Sequence, residues 1–120
     1  WCVCMENTKI ELKELSGQLF KSKFKKVELE QKIRGRTGHK WCFDFLVHYN
    51  EKKFGIIVRD WNRSIGVNQI RQLQKAIKDT DCMGGIIVGE EFSPNAEMYA
   101  SNFGIQILTR YEITRKLRGY

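Results

Sequence analysis

Asp44 and Arg59 are the residues of this chain best placed by type and spacing to do chemistry. Both lie in the stretch from Trp41 to Gly66, WCFDFLVHYNEKKFGIIVRDWNRSIG. It reads as two strands joined by a polar turn, followed by a loop that opens onto a helix. Closing the strands about Glu51-Lys52 sets Asp44 opposite Arg59 and Leu46 opposite Ile57. Alternate residues of a strand share a face, so Asp44, Ile57 and Arg59 are expected together on one surface. A carboxylate and a cation held there suit a catalytic site, or the remnant of one. A guanidinium beside a carboxylate also forms a two-pronged ion pair, and it cannot act as a base near neutral pH. His48 shares the face of Asp44 but sits too far along the strand to bond it, so a partly buried or surface imidazole is expected.

The elements that must hold these groups follow from patterning. Thr8 to Glu11 has capping-box spacing, and Leu12, Leu15, Leu19 and Phe20 recur at helical intervals, predicting a helix over 9–22. Phe24, Val27 and Leu29 suggest a short, irregular edge strand over 24–30. Gln31 to His39, with two glycines and several basic residues, reads as a mobile loop. In the strand that follows, Trp41, Phe43, Phe45, Val47 and Tyr49 should form one apolar face, with Cys42, Asp44, Leu46 and His48 on the other. Lys53 to Arg59 is the next strand, with Phe54, Ile56 and Val58 beside the first set. Ile65, Ile70, Leu73 and Ile77 mark a helix over 67–79. Gly84 to Val88 is an apolar strand suited to a sheet covered on both sides. Ser93-Pro94 starts a helix that stops near Gly104, Ile105 to Leu108 is the last strand, and Thr109 to Glu112 repeats the capping-box spacing before a final helix. The predicted order is α-β-β-β-α-β-α-β-α: an α/β fold with a mixed sheet flanked by helices.

At 120 residues this is one domain, large enough to bury a core without staples. Hydrophobic content of 42% argues against a disordered tail. No apolar run reaches the roughly 20 residues of a membrane helix, and Trp1-Cys2-Val3-Cys4 lacks the features of a signal peptide. The lack of an initial Met suggests a domain cut from a longer chain, with residues 1–7 as the tail of an upstream element. Cys2 and Cys4 supply half of a structural zinc site at most. Cys42 and Cys82 are expected to pack as small hydrophobes, in a reducing, intracellular compartment.

Net charge is +7, and nearly all of the excess sits within residues 21–40. There Lys21, Lys23, Lys25, Lys26, Lys32, Arg34, Arg36 and Lys40 face only Glu28 and Glu30. A localised basic patch is the footprint of a polyanion partner; a solvated lysine-rich surface is the alternative. Arg59, Arg63, Arg71, Lys75 and Lys78 form a second basic run. Candidate nucleic-acid contacts are therefore Lys32, Arg34, Arg36, His39, Lys40, Trp61, Arg63 and Arg71.

Four segments resemble the Mrr-type restriction endonucleases of the PD-(D/E)xK nuclease superfamily. Gly35-Arg36-Thr37-Gly38, running on to Asp44-Phe45, looks like the family's glycine-bearing loop leading to an aspartate. Ile57-Val58-Arg59-Asp60-Trp61 stands where the family has Glu or Gln, any residue, then Lys, with an aromatic soon after. Ser64 to Val67, leading to Ile70, resembles the start of its second core helix. Phe92 to Ala96, with Ala100 and Gly104-Ile105, resembles its late helix and final strand. Coverage is roughly residues 8–118. The resemblance implies a restriction-endonuclease-like α-β-β-β-α-β core with an extra helix-strand-helix at the C-terminus. It also implies Mg²⁺-dependent phosphodiester hydrolysis of the type IV restriction class, a DNA partner and, as often in the superfamily, a homodimer.

Departures fall at the catalytic positions. By resemblance Asp44 is the retained metal ligand, and Glu14 (or Glu11) stands for a helix-one glutamate. Ile57 replaces the second ligand and offers no oxygen to a hard cation. Arg59 replaces the lysine. The expected state is a remnant site of Asp44, Arg59 and Glu14 that needs no cofactor, with nucleic-acid binding retained. An active endonuclease with a rearranged, Mg²⁺-dependent site is the alternative, and a protein-interaction scaffold the third reading.

Overall fold

The computed structural model describes residues 11–118. Nine elements follow the predicted order. They are α1 (Leu12–Lys23), β1 (Lys26–Arg34), β2 (Lys40–Tyr49), β3 (Lys52–Arg59), α2 (Val67–Asp79), β4 (Gly84–Gly89), α3 (Pro94–Asn102), β5 (Gln106–Thr109) and α4 (Arg110–Leu117). The strands form one sheet in sequence order, with β1-β2-β3 antiparallel and β3-β4-β5 parallel. Short turns suffice for the antiparallel steps, whereas each parallel step needs a crossover, supplied by α2 and α3.

Local chemistry explains most boundaries. Ser93 accepts the Ala96 amide in its side chain and Pro94 occupies the first turn of α3. At α4, Thr109 and Glu112 complete a reciprocal capping box. Gly104 follows α3 with φ of 71°, a left-handed conformation that glycine adopts without strain. For α1 the N-cap is Glu11, with no side-chain cap bond, while the expected cap Thr8 lies outside the described residues, as do Cys2 and Cys4. Among the described residues no helix is long and apolar enough to cross a membrane.

Two apolar layers sandwich the sheet. On one face α1 and α4 cover Phe45, Val47, Ile56 and Val88. On the other, α2 and α3 cover Phe43, Leu46, Ile57 and Ile87. This division corrects the expected single face for Trp41, Phe43, Phe45 and Val47. Trp41 and Phe43 pack with α2, yet Phe45 and Val47 pack with α1. Alternation therefore inverts at Asp44. It inverts in the neighbouring strand too, where Val27 faces α1 and Ile33 faces α2. The residue between them, Glu30, has φ of 48°, in the left-handed region. Pairing between β1 and β2 keeps one register on both sides of this kink, from Val27↔Val47 to Ile33↔Trp41. Both strands twist over together, and no residue is inserted.

Two further expectations change. The edge strand runs to Arg34 because Gln31, Lys32, Ile33 and Arg34 pair with Phe43, Cys42, Trp41 and Lys40. The remaining turn is pinned: Arg36 donates its amide to the Asp79 carbonyl at 2.9 Å. Cys42 is exposed and Cys82 buried, since the inverted alternation turns Cys42 away from the core.

Candidate functional site

Asp44 does not pair with Arg59. The β2-β3 register sets Phe45 opposite Ile56 and Leu46 opposite Gly55, two residues out of the expected alignment. The turn accounts for the slip: it is centred on Asn50 and Glu51, both with positive φ (52° and 65°), so Tyr49 pairs with Lys52. Tight two-residue hairpin turns demand that backbone.

Asp44 is partly exposed at the kink. Its Oδ2 accepts the Val58 amide at 2.7 Å, and its Oδ1 lies 3.4 Å from Lys13 Nζ. Lys13 in turn donates to Glu30 Oε2 at 2.6 Å. Lys13 thus bridges carboxylates from β2 and β1, and the Glu30 hydrogen bond, with the nearby Asp44 charge, raises its pKa above the ordinary lysine value. Glu30 is lowered by the same bond. Glu14 lines the groove of about 400 Å³ between α1 and β1, beside Lys13 and Glu30. Composition alone could not single out Lys13 or Glu30; the kink that brings them to Asp44 leaves no spacing signature.

Arg59 turns to the other side. Its Nε donates to Gln69 Oε1 of α2 at 3.1 Å, and its guanidinium lies 5.9 Å from the Trp61 ring centroid. Arg63 sits closer over the same ring, at 4.3 Å, within the range of a cation–π contact. Ile57 is 5% exposed and packed in the α2-side core. The expected trio of Asp44, Arg59 and Glu14 is therefore not one cluster.

The positions aligned with the metal ligands do not fit Mg²⁺. That ion takes oxygen donors in octahedral geometry, whereas position 57 offers a buried alkyl chain, which leaves Asp44 as the one oxygen donor of the two. Among the described residues no three His, Cys, Asp or Glu side chains gather in a metal-binding group. His48 bonds Glu28 at 2.9 Å instead, and the Asp60 side chain lies exposed.

The basic residues divide between two faces. Lys32 pairs with Cys42 and Arg34 with Lys40. These positions alternate with Ile33 and Trp41, which pack toward α2, so they point away from it. Arg36, Arg63 and Arg71 lie on the α2 side. His39 is exposed, its ring 4.3 Å from that of Trp41.

Asp79, at the end of α2, is the residue that holds the basic turn. Its Oδ2 accepts from Trp41 Nε1 at 2.8 Å and from the Thr37 hydroxyl at 2.8 Å, and its Oδ1 from the Thr37 amide at 3.0 Å. The Trp41 bond, then those of Thr37, lower the Asp79 pKa from its ordinary value. Gly35 allows this approach: a Cβ there would lie 1.9 Å from the Asp79 carboxylate.

The sequence that builds this arrangement matches a known family. A profile for the Mrr catalytic domain, described as a restriction endonuclease, fits residues 6–117. The chain belongs to the Mrr restriction endonuclease family. Among solved structures, the crystal structure of a protein of unknown function, AF1548, superposes with a TM-score of 0.73 at 15% identity. The match covers 81% of this chain and 55% of that one, so this chain spans about half of that neighbour's length. No curated protein sequence matches the chain. Membership of the Mrr family points to nucleic acid as the polymer and to Mg²⁺ as the family's usual ion.

Proposed function

We propose that this Mrr-family domain binds nucleic acid, DNA foremost, with a catalytically degenerate site. One observation carries the reading: Asp44, aligned with the family's metal-binding aspartate, is engaged by the Val58 amide and Lys13. With Ile57 in the core, the metal-assisted mechanism lacks a second oxygen ligand, and the first is shared with an amide and an ammonium. Arg36, Trp61, Arg63 and Arg71, with His39 beside Trp41, are the contacts on the α2 side, and Lys32, Arg34 and Lys40 lie on the opposite face; lysine and arginine contacts to phosphate supply affinity that falls with salt.

The test incubates plasmid and branched DNA with Mg²⁺ or Mn²⁺, with Asp44→Asn as control. Binding without cleavage is expected. Cleavage that disappears in the Asn variant overturns the degenerate reading.

A rearranged active site is the second reading, and Lys13 is the observation behind it, since it places an ammonium beside Asp44. Its raised pKa favours an ion-pair role over that of a base. Cleavage abolished by Lys13→Met would establish this alternative. A homodimer is a further proposal, tested by light scattering.

A further inference from the structure

We infer that the outer face of α2 is a phosphate track, along which one nucleic-acid strand lies. The inference rests on the nucleic-acid reading and specifies its surface. Arg71, Lys75 and Lys78 are exposed, while Ile70, Leu73, Ala76 and Ile77 are buried. The three cations recur at helical spacing, so they form one stripe, and from Arg71 to Lys78 it rises roughly 10 Å. Arg71 is steadied over the Tyr99 ring at 5.4 Å, and Tyr99 is fixed by donating to Gln74 at 2.9 Å.

Each end of the stripe is extended by a cation from another element. Near the N-terminal end, Arg63 lies over Trp61 in the loop before α2. At the C-terminal end, Arg36 donates from its guanidinium to the Lys78 carbonyl at 2.7 Å. Its loop is clamped there by the bonds of Thr37 and Trp41 to Asp79. Asp81 lies 3.8 Å from Arg36, an exposed pair of little strength. The only acid on α2 is Asp79, and its oxygens are taken up by the clamp. The row runs along α2, whose 13 residues span roughly 20 Å at 1.5 Å each. A row of fixed cations complements the regular charge of a phosphodiester backbone. Lys32, Arg34 and Lys40 lie on the opposite face and stand outside the track.

Asp79 gives the sharpest discrimination, because it is an anion that assists anion binding. By charge alone its removal strengthens affinity. If it positions Arg36, its removal weakens affinity. The experiment measures fluorescence anisotropy of duplex and single-stranded DNA against salt, with folding checked by circular dichroism. Two charge-matched triples are compared: Arg71→Glu/Lys75→Glu/Lys78→Glu and Lys32→Glu/Arg34→Glu/Lys40→Glu. The α2 triple should lose at least about tenfold more affinity, and single alanine substitutions on the stripe should each reduce the log–log salt slope by about 0.9. Asp79→Asn should weaken binding, as should Thr37→Val, which leaves charge unchanged and serves if the Asn variant does not fold. Equal loss in the two triples, or tighter binding by Asp79→Asn, overturns the track. Equal affinity for polyglutamate overturns its nucleic-acid specificity. Failure of the wild-type chain to bind either DNA at low salt overturns the nucleic-acid reading itself.

Discussion

Asp44 and Val58 are joined where β2 has left the β2-β3 ladder: the Asp44 carboxylate accepts the Val58 amide at 2.7 Å, after the last paired residues, Phe45 and Ile56. A side chain takes over from the backbone as the acceptor for β3. Asp44 is thus a structural element of the sheet. Its substitution has a stability cost independent of any catalysis.

Asp44→Ala should therefore destabilise the fold by about 1–3 kcal/mol, the usual cost of stranding a buried or half-buried donor. Asp44→Asn keeps an acceptor and should lose roughly 1 kcal/mol less. Urea unfolding at neutral pH measures both. Equal losses would show that the Val58 bond contributes nothing.

Ile57→Glu places a carboxylate where the resemblance expects one, yet its position lies in the core beside α2. A carboxylate there would be packed among the apolar side chains of the α2-side core. The variant should lose about 3 kcal/mol or more without metal, and Ile57→Val no more than about 1.5 kcal/mol. A melting temperature unchanged by Ile57→Glu would place the side chain in solvent and contradict its burial.

Asp79 predicts an acid-sensitive basic turn. Its folded pKa is lowered, first by the Trp41 indole and then by Thr37. A lowered carboxyl pKa gives stability that is full above the unfolded value, ordinarily 3.8, and is lost as pH falls through the folded one. Glu28 and Glu30 shift in the same direction, through His48 and Lys13, so the comparison must isolate Asp79. Asp79→Asn should be less stable than wild type at neutral pH, with the difference narrowing below pH ~4. Urea unfolding followed across that range decides it; a difference independent of pH would remove Asp79 as the titrating group.

Gly55→Ala tests the kink from its packing side. A Cβ at Gly55 would lie 2.4 Å from the Phe43 ring, which covers this glycine because alternation has inverted at Asp44. Overpacking of this kind costs about 1–3 kcal/mol. Phe43→Leu in the same chain should recover part of the loss by clearing the ring. No recovery would mean that the Phe43 ring is not what excludes a side chain from position 55.

Much of the fold was legible because its signals are local. The periodicity of Ile70, Leu73 and Ile77 and the caps at Ser93 and Thr109 depend on residues within a turn or two. The site was less legible. Positive φ at Asn50 and Glu51 shifted the hairpin by two residues, and the paired kink at Glu30 and Asp44 reversed alternation in both strands. Neither carries a glycine or proline to announce it.

From its own residues the sequence determined the order of elements, an alkyl side chain at position 57 and, at position 59, a cation that cannot act as a base. These are facts of residue type and short-range pattern. Only the tertiary structure decided what Asp44 touches. Lys13, Glu30 and Val58 are distant from it in sequence, and the kink shared by β1 and β2 decides that these are its neighbours. It also decided how the positive charge is displayed: a count of lysines and arginines has no direction, whereas two faces of a sheet and one side of a helix do.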